Sequence, residues 1–156
     1  MSIEKVREYL QTKGYADKMQ EFTVSSATVE LAAQALGCEG CRIAKTLSFA
    51  VGEKTVLIVA AGDAKIDNSK FKVQFATKAR MLPFDEVEAK VGHAAGGVCP
   101  FAVKSNVEVY LDISLKRFET VFPAVGSSSS AIELTCEELE MLSNPVAWID
   151  VCKIPE

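Results

Sequence analysis

The sequence of 156 residues contains one histidine, and it has no apolar run long enough to cross a bilayer. A lone histidine, His93, excludes any catalytic triad or two-histidine metal centre that is not built around it. Apolar stretches such as 56–61 fall far short of the ~20 residues that a membrane-spanning helix requires. No secretion leader is expected, since Met1-Ser2-Ile3-Glu4-Lys5 reads as the opening of an amphipathic helix. A soluble, cytoplasmic protein with no membrane partner is expected. Surplus positive charge is missing too: 17 Lys and Arg stand against 21 Asp and Glu. The resulting net charge of −4 gives no global attraction to a polyanion.

Cysteine is present without a framework. Cys38, Cys41, Cys99, Cys136 and Cys152 are an odd number, scattered through a chain that is 49% hydrophobic and so has ample means to build a core. Cys38-Glu39-Gly40-Cys41 has the spacing of half a zinc site or of a dithiol, but no second pair or histidine cluster completes it. It falls between a helix and a strand, whereas a thioredoxin-like pair opens a helix. No metal is assigned. Reduced cysteines in a turn are the plainer reading, and a thiol or zinc protein is the minor alternative.

Length and composition fit one domain spanning residues 1–156. Periodicity predicts helices over about 3–13, capped by Ser2 and ended by Gly14, and over 29–36, with Leu31, Ala32, Ala35 and Leu36 as the apolar face. Strands over 43–51 and 55–61 form a hairpin through Gly52-Glu53-Lys54. Further strands are expected near 22–25, 79–82, 101–104, 107–113, 120–125, 132–134 and 148–151. Asn68 or Ser69 caps a short helix to about Gln74, and Pro83 opens another to Val91. The last helix begins at the capping box Thr135-Cys136-Glu137-Glu138. Ser127 to Ser130 reads as a turn.

Two features stand out from this frame. Alternation in Ile43-Ala44-Lys45-Thr46-Leu47-Ser48-Phe49-Ala50-Val51 places Lys45 on the face of Ile43, Leu47, Phe49 and Val51. A lysine there either snorkels to solvent, pairs with an acid, or lines a cavity that receives its charge. Downstream, Gly92-His93-Ala94-Ala95-Gly96-Gly97-Val98-Cys99-Pro100-Phe101 forms a glycine loop. Gly96 and Gly97 allow close approach of a ligand to the backbone, and Pro100 stiffens the exit. An ordinary turn and a backbone site for a carbonyl are both open readings.

The run Thr28-Val29-Glu30-Leu31-Ala32-Ala33-Gln34-Ala35-Leu36-Gly37, then Arg42-Ile43-Ala44-Lys45-Thr46-Leu47, then a G-x-x-x-P loop from Gly96 to Pro100, resembles the YbaK/prolyl-tRNA synthetase-associated editing domains. The resemblance covers roughly residues 15 to 150. It implies an α/β fold with a curved, mixed, partly barrel-like sheet surrounded by helices. It also implies a free-standing aminoacyl-tRNA deacylase, a carboxylic ester hydrolase that needs neither metal nor organic cofactor. The substrate would be mischarged tRNA bearing a small amino acid such as alanine or cysteine, on proline tRNA, with a synthetase as a further partner. Water would be the nucleophile, helped by the adjacent ribose hydroxyl. A catalytically silent tRNA- or synthetase-binding module of the same fold is the alternative.

On that resemblance, Lys45, Gly96 and Gly97 are the candidate catalytic residues, and Val98, Cys99, Pro100, Asp112 and His93 the candidate substrate contacts. Asp112 alternates away from the apolar face of its strand, which suits either a solvated residue or, by the resemblance, a partner of Lys45 or of the terminal ribose. His93 suits a base or a substrate contact, although family members do without a histidine base. Cys99 suits packing or pocket lining better than nucleophilic attack, since no neighbouring charge stabilises its thiolate. Lys65, Lys70, Lys72, Lys78 and Arg80, opposed only by Asp67, form a candidate tRNA-binding segment or a solvated basic face. Family members acting on cysteinyl-tRNA carry an S-x-G motif. Here the match is Ala124-Val125-Gly126, so a copy of that serine-dependent pocket is not expected.

Overall fold

The computed structural model describes residues 2–22 and 29–155, with the side chain of Ser2 and the burial of Gly96 left aside. The predicted Ser2 cap and most of the strand predicted over 22–25 lie outside the described residues.

The apolar run after Gly52 becomes the centre of the molecule. Strands β2 (Ile43–Val51) and β3 (Lys54–Ala61) pair antiparallel in unbroken register, from Ala44 opposite Ala61 to Val51 opposite Lys54. Gly52 turns the corner at φ 61°, where a β-carbon is unfavourable. Every residue of β3 from Thr55 to Ala61 is buried, which requires cover on both faces of the sheet. That explains why its sequence shows no alternation.

Around this hairpin the sheet grows to six strands in the order β8-β6-β2-β3-β5-β9. β5 (Val107–Asp112) lies parallel to β3, and β9 (Ala147–Ile149) parallel to β5. On the other flank β6 (Thr120–Pro123) runs parallel to β2 at Ile43 and Ala44 only, and β8 (Leu134–Thr135) closes antiparallel on β6. The sheet is mixed and curls into a half-barrel, as expected. Two small pairs seal its margins: β1 (Met19–Glu21) with β7 (Ser130–Ile132), and β4 (Lys65–Ile66) with β10 (Cys152–Lys153).

Helices α1 (Ser2–Thr12), α2 (Val29–Leu36), α3 (Asn68–Phe75), α4 (Val87–Val91) and α5 (Cys136–Ser143) pack around the sheet. α3 lays Phe71 against Phe49 at 5.1 Å between ring centres, and Phe75 against Tyr110 at 5.2 Å. The cap of α3 is Asp67, not Asn68 or Ser69: its carboxylate accepts from the Ser69 and Lys70 amides. α5 opens on the predicted capping box, with Thr135 and Glu138 bonded reciprocally.

Other departures have local causes. Residues 79–82 make only a single bridge, Met81 to Phe49, flanked by bonds from the Ala50 amide to the Arg80 carbonyl and from the Leu82 amide to the Ser48 carbonyl, and Pro83, which has no N–H, does not extend it. Residues 101–104 form no strand, since Ala102 adopts a left-handed backbone at φ 53°. The expected strand at 132–134 is two, divided at Glu133, with β7 turning to β1 and β8 to β6. On α2, Leu31 is 43% exposed, and the inward face is Val29, Ala32, Ala33 and Leu36, at i, i+3, i+4 and i+7 spacing.

Candidate functional site

At the start of β2 the sheet leaves a cavity of about 150 Å³. Its floor is β2 itself, from Ile43 to Thr46, and the inward face of α2 forms one wall. Ala95 and Val98 of the glycine loop, Phe122 of β6, Ala124 just after it, and Ser127, Ser128 and Ser130 complete it. Lys45 and the glycine loop, far apart in the chain, therefore meet at one cavity.

Lys45 is half-buried. Its ammonium donates to the carbonyl of Gly62 at 3.4 Å and to that of Ala64. Among the described residues it makes no ion pair, and both of its hydrogen bonds go to backbone carbonyls. Burial lowers its pKa below the usual lysine value, partly offset by Cys152 and Asp63. An ammonium has three N–H donors, and among the described residues two carbonyls accept from it, which leaves one for a bound molecule.

The glycine loop reaches the cavity as a tight turn, Ala95–Gly97. Gly97 lies against the segment after β6, where a β-carbon would stand 2.6 Å from the Gly126 carbonyl oxygen and 2.9 Å from the Ser127 Cα. Its own amide is bonded to the Ala94 carbonyl at 2.8 Å. Gly97 thus contributes absence of bulk, and any amide aimed at a ligand belongs to a neighbour such as Val98, which lines the cavity.

Four of the candidate substrate contacts do not line this cavity. His93 is fully buried, its Nε2 2.6 Å from the Phe101 carbonyl and 3.6 Å from Cys99 Sγ. Burial lowers its pKa and leaves Nδ1 without a partner among the described residues. Cys99 lies beside it, fully buried, its thiol pushed up to about 12 by desolvation. Pro100 is buried behind the turn. These three residues pack the underside of the loop.

Asp112 is neither solvated nor paired with Lys45. It is 1% exposed, and its carboxylate accepts from the Ser114 and Val151 amides, both at 2.9 Å. The alternation argument failed because the polar face of β5 is covered by the C-terminal segment, whose Val151 supplies the donor.

The basic segment is divided. Lys70 is bound to Asp150 at 3.0 Å and to the Cys152 carbonyl. Lys65, on β4, is close enough for its charge to act on Lys45, and Lys72, Lys78 and Arg80 are exposed. Among the described residues no cluster of His, Cys, Asp or Glu could hold a metal ion. Cys38 and Cys41 are free thiols, each raised in pKa chiefly by burial, which disfavours the reactive thiolate. None of the helices is long and apolar enough to cross a membrane, among the described residues.

The sequence reading missed the serines. Ser127 Oγ lies 2.7 Å from Ser130 Oγ, and both residues line the cavity. Their only sequence signal is four consecutive hydroxyls directly after Gly126, at the position where the S-x-G comparison already pointed.

Comparison with known proteins places the chain in a family. A family model described as aminoacyl-tRNA editing domain matches residues 23–142. The uncharacterized protein YwhH of Bacillus subtilis is 54% identical over 154 residues, 98% of each chain. EbsC of Enterococcus faecalis, a candidate Cys-tRNA(Pro)/Cys-tRNA(Cys) deacylase, is 32% identical over 120 residues, 75% of this chain and 73% of its own. The crystal structure of a candidate trans-editing enzyme for prolyl tRNA synthetase superposes with a TM-score of 0.87 at 29% identity, covering 97% of each chain. The chain belongs to the aminoacyl-tRNA editing domain family.

Proposed function

We propose that the protein is an aminoacyl-tRNA deacylase that hydrolyses the ester between a small amino acid and the terminal ribose of mischarged tRNA. The observation that carries this reading is the meeting of Lys45 with the Ala95–Val98 turn in one cavity of about 150 Å³. A pocket of this size accepts a small aminoacyl group. The editing family and the similarity to EbsC and to the trans-editing structure support the same chemistry, with proline tRNA as the first acceptor to test.

In this reading water adds to the ester carbonyl carbon, the tetrahedral intermediate collapses, and the ribose oxygen leaves with a proton. Free amino acid and tRNA result. The turn from Gly96 to Val98 holds the carbonyl against backbone amides, where each well-aimed donor contributes roughly 2.7–4 kcal/mol to the transition state. The remaining N–H of Lys45 binds the nucleic-acid end or the developing charge. The chemistry calls on no metal, and Lys65 with Lys72, Lys78 and Arg80 supplies the local positive charge that the chain lacks globally.

Ala124, Ser127 and Ser130 replace the serine of the S-x-G motif with a differently placed pair of hydroxyls. Substrate choice among alanine, cysteine, serine and threonine is assigned to this wall. Release of labelled amino acid from alanyl- and cysteinyl-tRNA(Pro), with and without chelator, tests the reading. Chelator-resistant release supports it, and failure to hydrolyse any small aminoacyl ester refutes it.

A further inference from the structure

Lys45 is held by a loop that is itself fixed from outside the cavity. Gly62 and Ala64, whose carbonyls accept from Nζ, flank Asp63. The Asp63 carboxylate receives a two-pronged ion pair from Arg117, Nη2 to Oδ1 at 2.5 Å and Nη1 to Oδ2 at 3.1 Å. The third arm of the guanidinium, Nε, donates to the Ser114 carbonyl at 2.9 Å. Ser114 Oγ in turn accepts from the Ala61 amide at 3.1 Å, and its own amide donates to buried Asp112. The loop is therefore tied at Ala61 through Ser114 and at Asp63 through Arg117.

It is also blocked on a third side. A β-carbon on Gly62 would stand 2.1 Å from the Gly40 carbonyl oxygen, so this backbone already touches the turn between α2 and β2. None of Asp63, Ser114 and Arg117 lines the cavity that contains Lys45.

We propose that Arg117 is a positioning residue for Lys45: its fork on Asp63, braced by Ser114, fixes the two carbonyls that aim the Lys45 ammonium into the cavity. The inference rests on the proposed reading of Lys45 as the group that binds the charge developing in the transition state. A guanidinium is suited to this task because its planar fork sets direction as well as distance, which a lysine cannot do. With about a third of each side chain exposed, the pair contributes little to global stability, so its consequence is local. The Arg117 guanidinium holds Asp63 below the usual carboxylate pKa and keeps it ionised beside the loop. Cys152, Asp63, Lys65 and Glu30 are the charged or titratable groups that act on Lys45.

The test pairs a titration with kinetics. The NMR signal of Lys45 Cε, assigned by its loss in Lys45→Ala, is followed against pH in the parent, Arg117→Ala and Arg117→Lys, with thermal melting to establish folding. Single-substrate hydrolysis of alanyl-tRNA(Pro) is measured alongside. Arg117→Ala is expected to shift the Lys45 titration and to lower kcat by about tenfold or more with KM little changed, since a displacement of ~1 Å can cost about 100-fold. Arg117→Lys should fall between the two.

Asp63→Asn removes the other half of the fork. It should give the same kcat loss, and the double variant should lose no more than either single one. A folded Arg117→Ala with the parent's Lys45 titration and kcat within about twofold overturns the proposal. So does full additivity of Asp63→Asn and Arg117→Ala. If the parent hydrolyses no aminoacyl-tRNA, the deacylase reading fails by itself, and the titration still decides whether Arg117 positions Lys45.

Discussion

The backbone of Gly97 lies so close to that of Gly126 that a β-carbon would stand 2.6 Å from the Gly126 carbonyl oxygen. Backbone, unlike a flexible side chain, cannot yield cheaply, so Gly97→Ala should push the glycine turn away from the segment that carries the cavity serines. We expect a loss of about 1–3 kcal/mol in stability, as for other overpacked sites. Deacylation should fall further than the folded fraction does. Urea unfolding combined with turnover on alanyl-tRNA(Pro) checks both, and parent-like values of each would show that the contact is dispensable.

Asp112 invites a different experiment. Its buried carboxylate satisfies two amides from separate elements, Ser114 and Val151. Asp112→Ala leaves both donors without an acceptor, at about 1–3 kcal/mol for each buried orphan. A stability loss of about 2 kcal/mol or more is therefore predicted. Asp112→Asn, which keeps one acceptor oxygen, should lose less. Equilibrium denaturation of the three proteins decides the matter.

These two positions show what was legible in the sequence. Alternation identified β2, a continuous apolar run after Gly52 identified β3, glycine and the capping box set their neighbours, and Lys45 was conspicuous because a charge interrupted an apolar face. What remained hidden depended on contacts between distant segments. Asp112 looked solvated because no local pattern announces that the C-terminal segment will cover it. His93 and Cys99 looked like pocket residues because they flank the glycines, yet they pack beneath the turn while Ala95 and Val98 line the cavity. The need for glycine at 62 arises from Gly40 and Val29, in segments distant along the chain.

The buried imidazole gives a pH signature. His93 titrates below its ordinary value because burial disfavours the charged ring, so the unfolded chain binds a proton more readily than the folded one. Stability is fully present above about pH 6.5 and is lost as pH falls from there through the lower folded-state value. As the chain has no other histidine, the decline in the window above the carboxylate range belongs to His93. Urea midpoints at pH 7.5, 6.5 and 5.5 should fall steadily for the parent. His93→Gln should be weaker at pH 7.5, having disturbed the bond to Phe101, but flat across the same range. A flat parent profile would contradict the assignment.

The central claim is that Lys45 and the glycine turn together hydrolyse a mischarged aminoacyl ester. It is tested most directly by the hydrolysis of a panel of labelled alanyl-, cysteinyl-, seryl- and prolyl-tRNAs by the parent and by Lys45→Ala, with chelator present in a parallel set. The account predicts chelator-resistant turnover of a small mischarged species, sparing prolyl-tRNA(Pro), that drops by about 100-fold or more in a folded Lys45→Ala protein. No turnover of any species, or turnover untouched by Lys45→Ala, would contradict it.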